Sequence, residues 1–560
     1  MRPAALLLAL GAGCAAPGKE PMTASQELAR LGDDYWENVL RHAPTYATYL
    51  GDFRYNDRLS DLSEAGRAAR RKDGEVFLVR LSKIDAAALP EADRVTADIL
   101  RLQLEQSLEE ERHKFWQWEV DQMGGPQADF PQLMNFHPLS DEAGLQARFR
   151  AFPAYIDQYL DNLRAGVREG RTAMKEAVVR VMGQLRGLLE TPVEKSPFAA
   201  RPSLVPAVRD AVYPAYRKML DYLEKDYLPK ARTRDVGLGA LPGGKEAYRF
   251  RIRLHTTTDL SAEEIHRIGL DELRGIQKEM AAIAKGDLKG FMERLKADPK
   301  NFFATREELL ETARRELDRC KAALPKWFSR LPRTDCEVKA IEDYREKDSV
   351  AAFYYAPDEK LARKGIYYAN TYRPESRPRF NMAALTVHEA VPGHHLQIAL
   401  AMEIEGLPRF RRQAGFTAFV EGWGLYSERL GDEMRLYATD LDRFGMLTYQ
   451  AWRACRLVVD TGIHALGWSR QQAIDFMTEN VALSETEVLN EVDRYIIWPG
   501  QALAYMIGKR EILALREEAR KALGARFDVR EFHDVVLRNG AVPLTTLRAV
   551  VRSWVLSKAG

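Results

Sequence analysis

The chain has 560 residues, 46% of them hydrophobic and 29% charged, a globular composition that excludes a disordered chain. Its 83 basic and 81 acidic residues leave a formal net charge of +2, so nothing in the charge points to nucleic acid or a strongly charged membrane surface as partner. The length suits a few domains or one two-lobed helical body.

The first twenty residues, MRPAALLLALGAGCAAPGKE, stand apart: Arg2 precedes an apolar run from Ala4 to Leu10, then small residues and Cys14. The run is far shorter than the ~20 apolar residues that cross a bilayer, so segment 1–20 reads as a secretory leader. Cys14 stands where a bacterial lipoprotein leader places its acylated cysteine, although Gly11 holds the position usually given to leucine. The expectation is export to the cell envelope with a lipid anchor through Cys14. Ordinary cleavage among Cys14, Ala15 and Ala16 is the alternative and would give a soluble secreted protein.

Residues 21–240 read as an N-terminal helical lobe, interrupted by DQMGGPQADFPQLMNFHP (121–138), a Gly/Pro-rich stretch expected to be a structured loop. Residues 241–560 read as the catalytic lobe, joined without a linker. AYRFRIRLHT (247–256) alternates like a strand. Ser261 with Glu264 forms a capping box at a helix start, a signature repeated at Thr305/Glu308, Ser469/Gln472 and Ser484/Glu487. Cys320 and Cys336 could form one bridge in an oxidising compartment. GIYYANTY (365–372) reads as an aromatic strand, and as an edge strand it could pair with an extended substrate near Tyr367, Tyr368 and Asn370.

The densest group of metal-binding side chains is NMAALTVHEAVPGHHLQIAL (381–400), which holds three of the 10 histidines within eight residues. In the zinc peptidase helix H-E-x-x-H, two histidines one turn apart bind the metal and the glutamate activates water. Here the second ligand position holds Pro392. On an undistorted helix His395 would return to the face of His388 but ~10 Å along the axis, too far for two bonds of ~2.0–2.1 Å to one zinc. His394 would point elsewhere. Either can serve only if Pro392-Gly393 breaks the helix, since proline removes a backbone donor and glycine permits unusual dihedrals. A loop-out of about two residues then brings His394 into place, and His395 stays the alternative. A third ligand is expected from the segment GFTAFVEGWGLYSERLGDE: Glu421, with Glu428 two turns on as its supporting or ion-paired neighbour.

HEAVPGHHLQ, FVEGWGLYSE, DTGIHALGW and WPGQALAYMIGKREI, with the N-terminal ATYLGDFRYNDRLSD, resemble the bacterial family catalogued as domain of unknown function 885, across essentially the mature chain. The resemblance implies a mainly α, zincin-like, two-lobed helical metallopeptidase with a deep cleft and a small β-sheet beside the active-site helix, and often a lipoprotein. The sequence is more distantly similar to the thimet-oligopeptidase and carboxypeptidase Taq families. Their His-Glu-x-Gly-His and Phe-Val-Glu motifs match Gly393-His394 and Phe419-Val420-Glu421, with two extra residues at the proline.

The expected chemistry is hydrolysis of short peptides with one Zn2+ on His388, His394 and Glu421, and Glu389 as general base. Oxyanion donors are sought in Tyr505 first and Tyr495 second, around Pro499-Gly500. Arg456, Asp460 and His464 fall at i, i+4 and i+8 on one helix face, which suits His464 as an orienting group or donor. The alternatives are a metal-dependent amidase on a modified small substrate and a non-catalytic peptide-binding lipoprotein. Substrate sequence, exo- or endo-action and oligomeric state are not legible.

Overall fold

The computed structural model describes residues 22–138, 140–342, 346–357 and 363–559; the leader with Cys14 lies outside them. The described chain is mainly helical, with one three-stranded sheet.

The helix starts follow the capping chemistry. Ser261, Ser469 and Ser484 each accept the N–H of the residue three places on, whose side chain returns to the cap backbone. Thr305 accepts from Glu308 N–H, but the Glu308 carboxylate takes Ala304 N–H instead. Each such cap contributes about 1 kcal/mol.

Two expectations of local structure change. AYRFRIRLHT lies in helix α1 (Gly244–Thr256), because Gly244, Tyr248, Ile252 and Thr256 recur every four residues and are buried together. The Gly/Pro stretch 121–138 contains a short helix, Pro126–Leu133, begun by a proline at its first position, where no N–H is needed.

Helix α2 (Ala262–Ile283) packs against the long central helix described below. The sheet follows, with β1 (Cys336–Ala340), β2 (Ala352–Tyr355) and β3 (Gly365–Ala369) in the order β1-β3-β2. β3 pairs in parallel with β1 and antiparallel with β2. The aromatic strand is therefore central, and both its backbone edges are spent on neighbours. It cannot be the edge strand that pairs with a substrate. Cys320 and Cys336 are buried free thiols, not a bridge.

Six helices then build the site region: α3 (Met382–Glu389), α4 (His394–Met402), α5 (Thr417–Glu433), α6 (Asp440–His464), α7 (Glu485–Ile497) and α8 (Ala504–Leu523). α6 is buried almost continuously from Phe444 to His464 and touches α2, α3, α5 and α8. The apolar core forms two clusters: one joins residues from Leu28–Trp118, with Met174 and Ala177, to those from Val236 onward, and the other is built from residues between Val120 and Tyr227.

Candidate metal centre

The helix carrying the histidines is broken where Pro392-Gly393 stands. α3 ends at Glu389, residues 390–393 are non-helical, and α4 begins at His394. The Gly393 N–H donates to the Val387 carbonyl at 3.0 Å, turning the chain back on itself. A Cβ at Gly393 would lie 2.0 Å from the His388 carbonyl oxygen, so only glycine fits this approach. α5 pins the break from the other side, with Trp423 Nε1 donating to the Pro392 carbonyl at 2.8 Å and Ser427 Oγ to the same oxygen at 3.3 Å.

This turn places His394 beside His388, with ring centroids 4.7 Å apart. α5 brings Glu421 to both: one carboxylate oxygen, Oε2, lies 3.5 Å from His388 Nε2 and 3.4 Å from His394 Nε2. One turn on, Gly424 makes room for the ring, since a Cβ there would approach His388 Cε1 to 2.8 Å. Among the described residues, His388, His394 and Glu421 are the one group of three or more His, Cys, Asp or Glu whose ligand atoms converge.

The donor set fits zinc. Tetrahedral bonds of ~2.0–2.2 Å put ligand atoms about 3.3–3.5 Å apart, and the two measured separations fall there. Glu421 Oε2 is buried between the imidazoles with no polar neighbour other than their Nε2 atoms, an arrangement that a cation, or a proton on either ring, completes. Burial disfavours charge on His388, yet the Glu421 and Glu428 carboxylates outweigh it and raise the imidazole to about 10. Burial likewise opposes ionisation of Glu421, but His394 and His388 hold its carboxyl well below the usual range.

A supporting chain fixes the first ligand. Glu428, fully buried, accepts from His388 Nδ1 at 2.9 Å. Its other oxygen accepts from Gln450 Nε2 at 2.8 Å, and Lys509 Nζ donates to Gln450 Oε1 at 3.1 Å. Such partners set tautomer and ring orientation. Glu389, 8% exposed, ends α3 beside the ligands. Burial raises its carboxyl, against the opposing pull of His394 and His388.

His395 faces away. Its Nδ1 meets the Tyr354 hydroxyl at 2.8 Å and its Nε2 donates to the Thr334 carbonyl at 3.0 Å, tying α4 to the sheet. The structure thus brings together His388, Glu389, His394 and Glu421, and not His395.

The remaining residues divide. Tyr505 reaches the site: its ring lies near-parallel to that of His388 at 6.4 Å, and its hydroxyl accepts from Arg494 at 3.2 Å, leaving its own proton free to donate. The Tyr495 hydroxyl accepts from Trp452 and Arg456 and donates to Glu491 at 2.8 Å, so it has no proton left for a substrate. His464 accepts from Leu238 N–H at Nδ1 and donates from Nε2 to the Tyr495 carbonyl. Asp460 accepts from the Tyr248 hydroxyl and from Gly500 N–H, and burial pushes it up to about 7. His464 and Asp460 fasten α6 to its surroundings rather than face the ligands. Tyr367 is buried within the sheet, and Asn370 donates to the Glu346, Ser349 and Val350 carbonyls. Gln450 and Arg453 of α6 were missed in the sequence. Gln450, Arg453 and Arg456 recur every three residues within the buried stretch of α6, which is the signal that could have found them.

The family described as "Bacterial protein of unknown function (DUF885)" matches residues 44–551. No curated protein matches the chain. Two solved structures share its fold. One, from Colwellia psychrerythraea and described as a "putative lipoprotein", is 30% identical with a TM-score of 0.88 and covers 96% of this chain and 100% of its own. The other, from Shewanella oneidensis and described as a "putative lipoprotein of unknown function", is 20% identical with a TM-score of 0.75 and covers 95% of this chain and 100% of its own.

Proposed function

The chain belongs to the bacterial DUF885 family, and from that premise we propose that it is a zinc-dependent peptidase acting on short peptides. The observation that supports this most is the convergence of His388 Nε2, His394 Nε2 and Glu421 Oε2 beside the buried carboxyl of Glu389. Three protein ligands with a fourth position open is the arrangement of catalytic rather than structural zinc sites.

Zinc bound there would supply a Lewis acid that lowers the pKa of water towards neutrality. Glu389 would take a proton from the attacking water and return it to the departing amine. Tyr505 would donate its hydroxyl proton to the developing oxyanion, held in place by the Arg494 hydrogen bond. Glu428 and Gln450 would keep His388 in the tautomer that leaves Nε2 free. The two-lobed cleft of a zincin-like enzyme is part of this reading. So is export: the two structural neighbours are described as lipoproteins, and Cys14 would carry the anchor. No described helix is long and apolar enough to cross a membrane.

The test is Glu389→Gln. Wild type should carry one zinc per chain by mass spectrometry and hydrolyse members of a peptide library. The variant should keep the zinc and lose on the order of 10²–10⁴ in rate. Wild type without stoichiometric metal, or a fully active variant, would end the proposal.

A further inference from the structure

Three arginines gather around Tyr505, and their hydrogen bonding is incomplete. Arg453 and Arg456 lie one turn apart on α6, and Arg494 lies on α7. Their guanidinium groups sit 6.0 and 4.3 Å from the Tyr505 ring centroid for Arg453 and Arg456, while Arg494 bonds the Tyr505 hydroxyl. The three side chains are only 6%, 2% and 8% exposed. Glu491 binds Arg456 at 3.0 Å and Arg494 at 3.3 Å, so two guanidiniums share one carboxylate.

Arg453 has no such partner. Its Nε and Nη1 are buried without a hydrogen bond, as are Arg456 Nη1 and Arg494 Nε. The nearest carboxylate, Glu428, is 3.9 Å away and already serves His388. A buried guanidinium left with empty N–H groups is costly, since each unmet donor loses its water without replacement. The rings of Tyr449 and Trp452 lie against Arg453, at 4.7 and 4.4 Å from its centre. The same two rings also line a pocket with Asn370, Met382, Leu385 and Glu487.

We propose that Arg453, backed by Arg456 and Arg494, binds the C-terminal carboxylate of the substrate, so that the enzyme removes one or two residues from the free carboxyl end of a peptide. The planar fork of a guanidinium matches a carboxylate in a bidentate manner. Arg453 lies 3.9 Å from Glu428, the carboxylate that accepts from His388 Nδ1, and its charge also acts on the Glu389 carboxyl, which places it beside the proposed general base. This rests on the peptidase reading above and adds to it the class of substrate and the direction of attack.

The experiment compares the pentapeptide Gly-Ala-Phe-Ala-Leu as free acid and as C-terminal amide. With wild type, the acid should lose one or two residues from its carboxyl end by mass spectrometry, with kcat/KM on the order of 10²-fold above the amide. Arg453→Met should bring the two substrates within about threefold of each other while zinc content stays unchanged, and Arg453→Lys should fall between. In parallel, calorimetry on zinc-loaded Glu389→Gln should show the acid binding at least about tenfold more tightly than the amide. Equal cleavage of acid and amide, or discrimination that survives in Arg453→Met, overturns the subsite. If wild type cleaves neither peptide the peptidase reading falls, and the binding comparison decides the subsite alone: a preference for the acid upholds it and no preference overturns it.

Discussion

Arg148 and Arg453 are both buried guanidiniums in long helices, and they are treated in opposite ways. Arg148, in the helix Glu142–Arg168, donates to the carbonyls of Arg58, Pro44 and Tyr55 and to Thr48 Oγ1, with Nη1 3.3 Å from His137 Nδ1. Burial lowers its pKa to about 10, yet its donors are spent on the loop it holds. Arg453, 5% exposed, holds no loop and leaves Nε and Nη1 empty, with the Glu428 carboxylate that accepts from His388 3.9 Å from its guanidinium. The same contrast separates His464, with both ring nitrogens occupied by backbone, from His394, whose Nε2 meets only the Glu421 carboxylate, at 3.4 Å. Where a polar group serves the fold, its bonds are closed. Where it serves a ligand, they stay open until the ligand arrives.

The largest expected effect breaks the first pair. Arg148→Met should destabilise the protein by about 3–5 kcal/mol, because it leaves several buried carbonyls unpaired. Arg453→Met should change stability by no more than about 1 kcal/mol, since it removes a group whose bonds are unmade. Urea denaturation of both variants measures this, and equal losses would dissolve the distinction.

A smaller effect sharpens the second pair. Burial lowers His464 to about 3, against about 6.5 in an unfolded chain. Between those values the unfolded state holds more protons, so stability falls as pH drops from about 6.5 towards 3, by at most about 1.4 kcal/mol per pH unit for this one group. In His464→Gln that stretch of the stability profile should be shallower. An unchanged slope would mean that the ring is not held neutral by its burial.

Much of the site was legible before the structure. His388, Glu389 and Glu421 follow from ligand chemistry and helical spacing, and the break at Pro392-Gly393 follows from what proline and glycine do to a helix. What the sequence could not show is set by packing between distant segments. β3 is central because it pairs with the more distant β1 on one edge as well as with the nearby β2 on the other. AYRFRIRLHT carries two periods at once, alternation at Phe250, Ile252 and Leu254 and a repeat of four through Tyr248, Ile252 and Thr256. Tertiary burial chose the second. Arg453 looked like one more arginine until Tyr449, Trp452 and Tyr505 closed around it.

The central claim is that zinc sits on His388, His394 and Glu421, and the most direct measurement is metal content in His394→Ala and His395→Ala after dialysis against limiting zinc. His394→Ala should lose the ion and keep its fold. His395→Ala should keep one zinc per chain and lose about 1–2 kcal/mol of stability with its links to Tyr354 and Thr334. Retention of zinc in His394→Ala, or its loss in His395→Ala alone, would contradict the account.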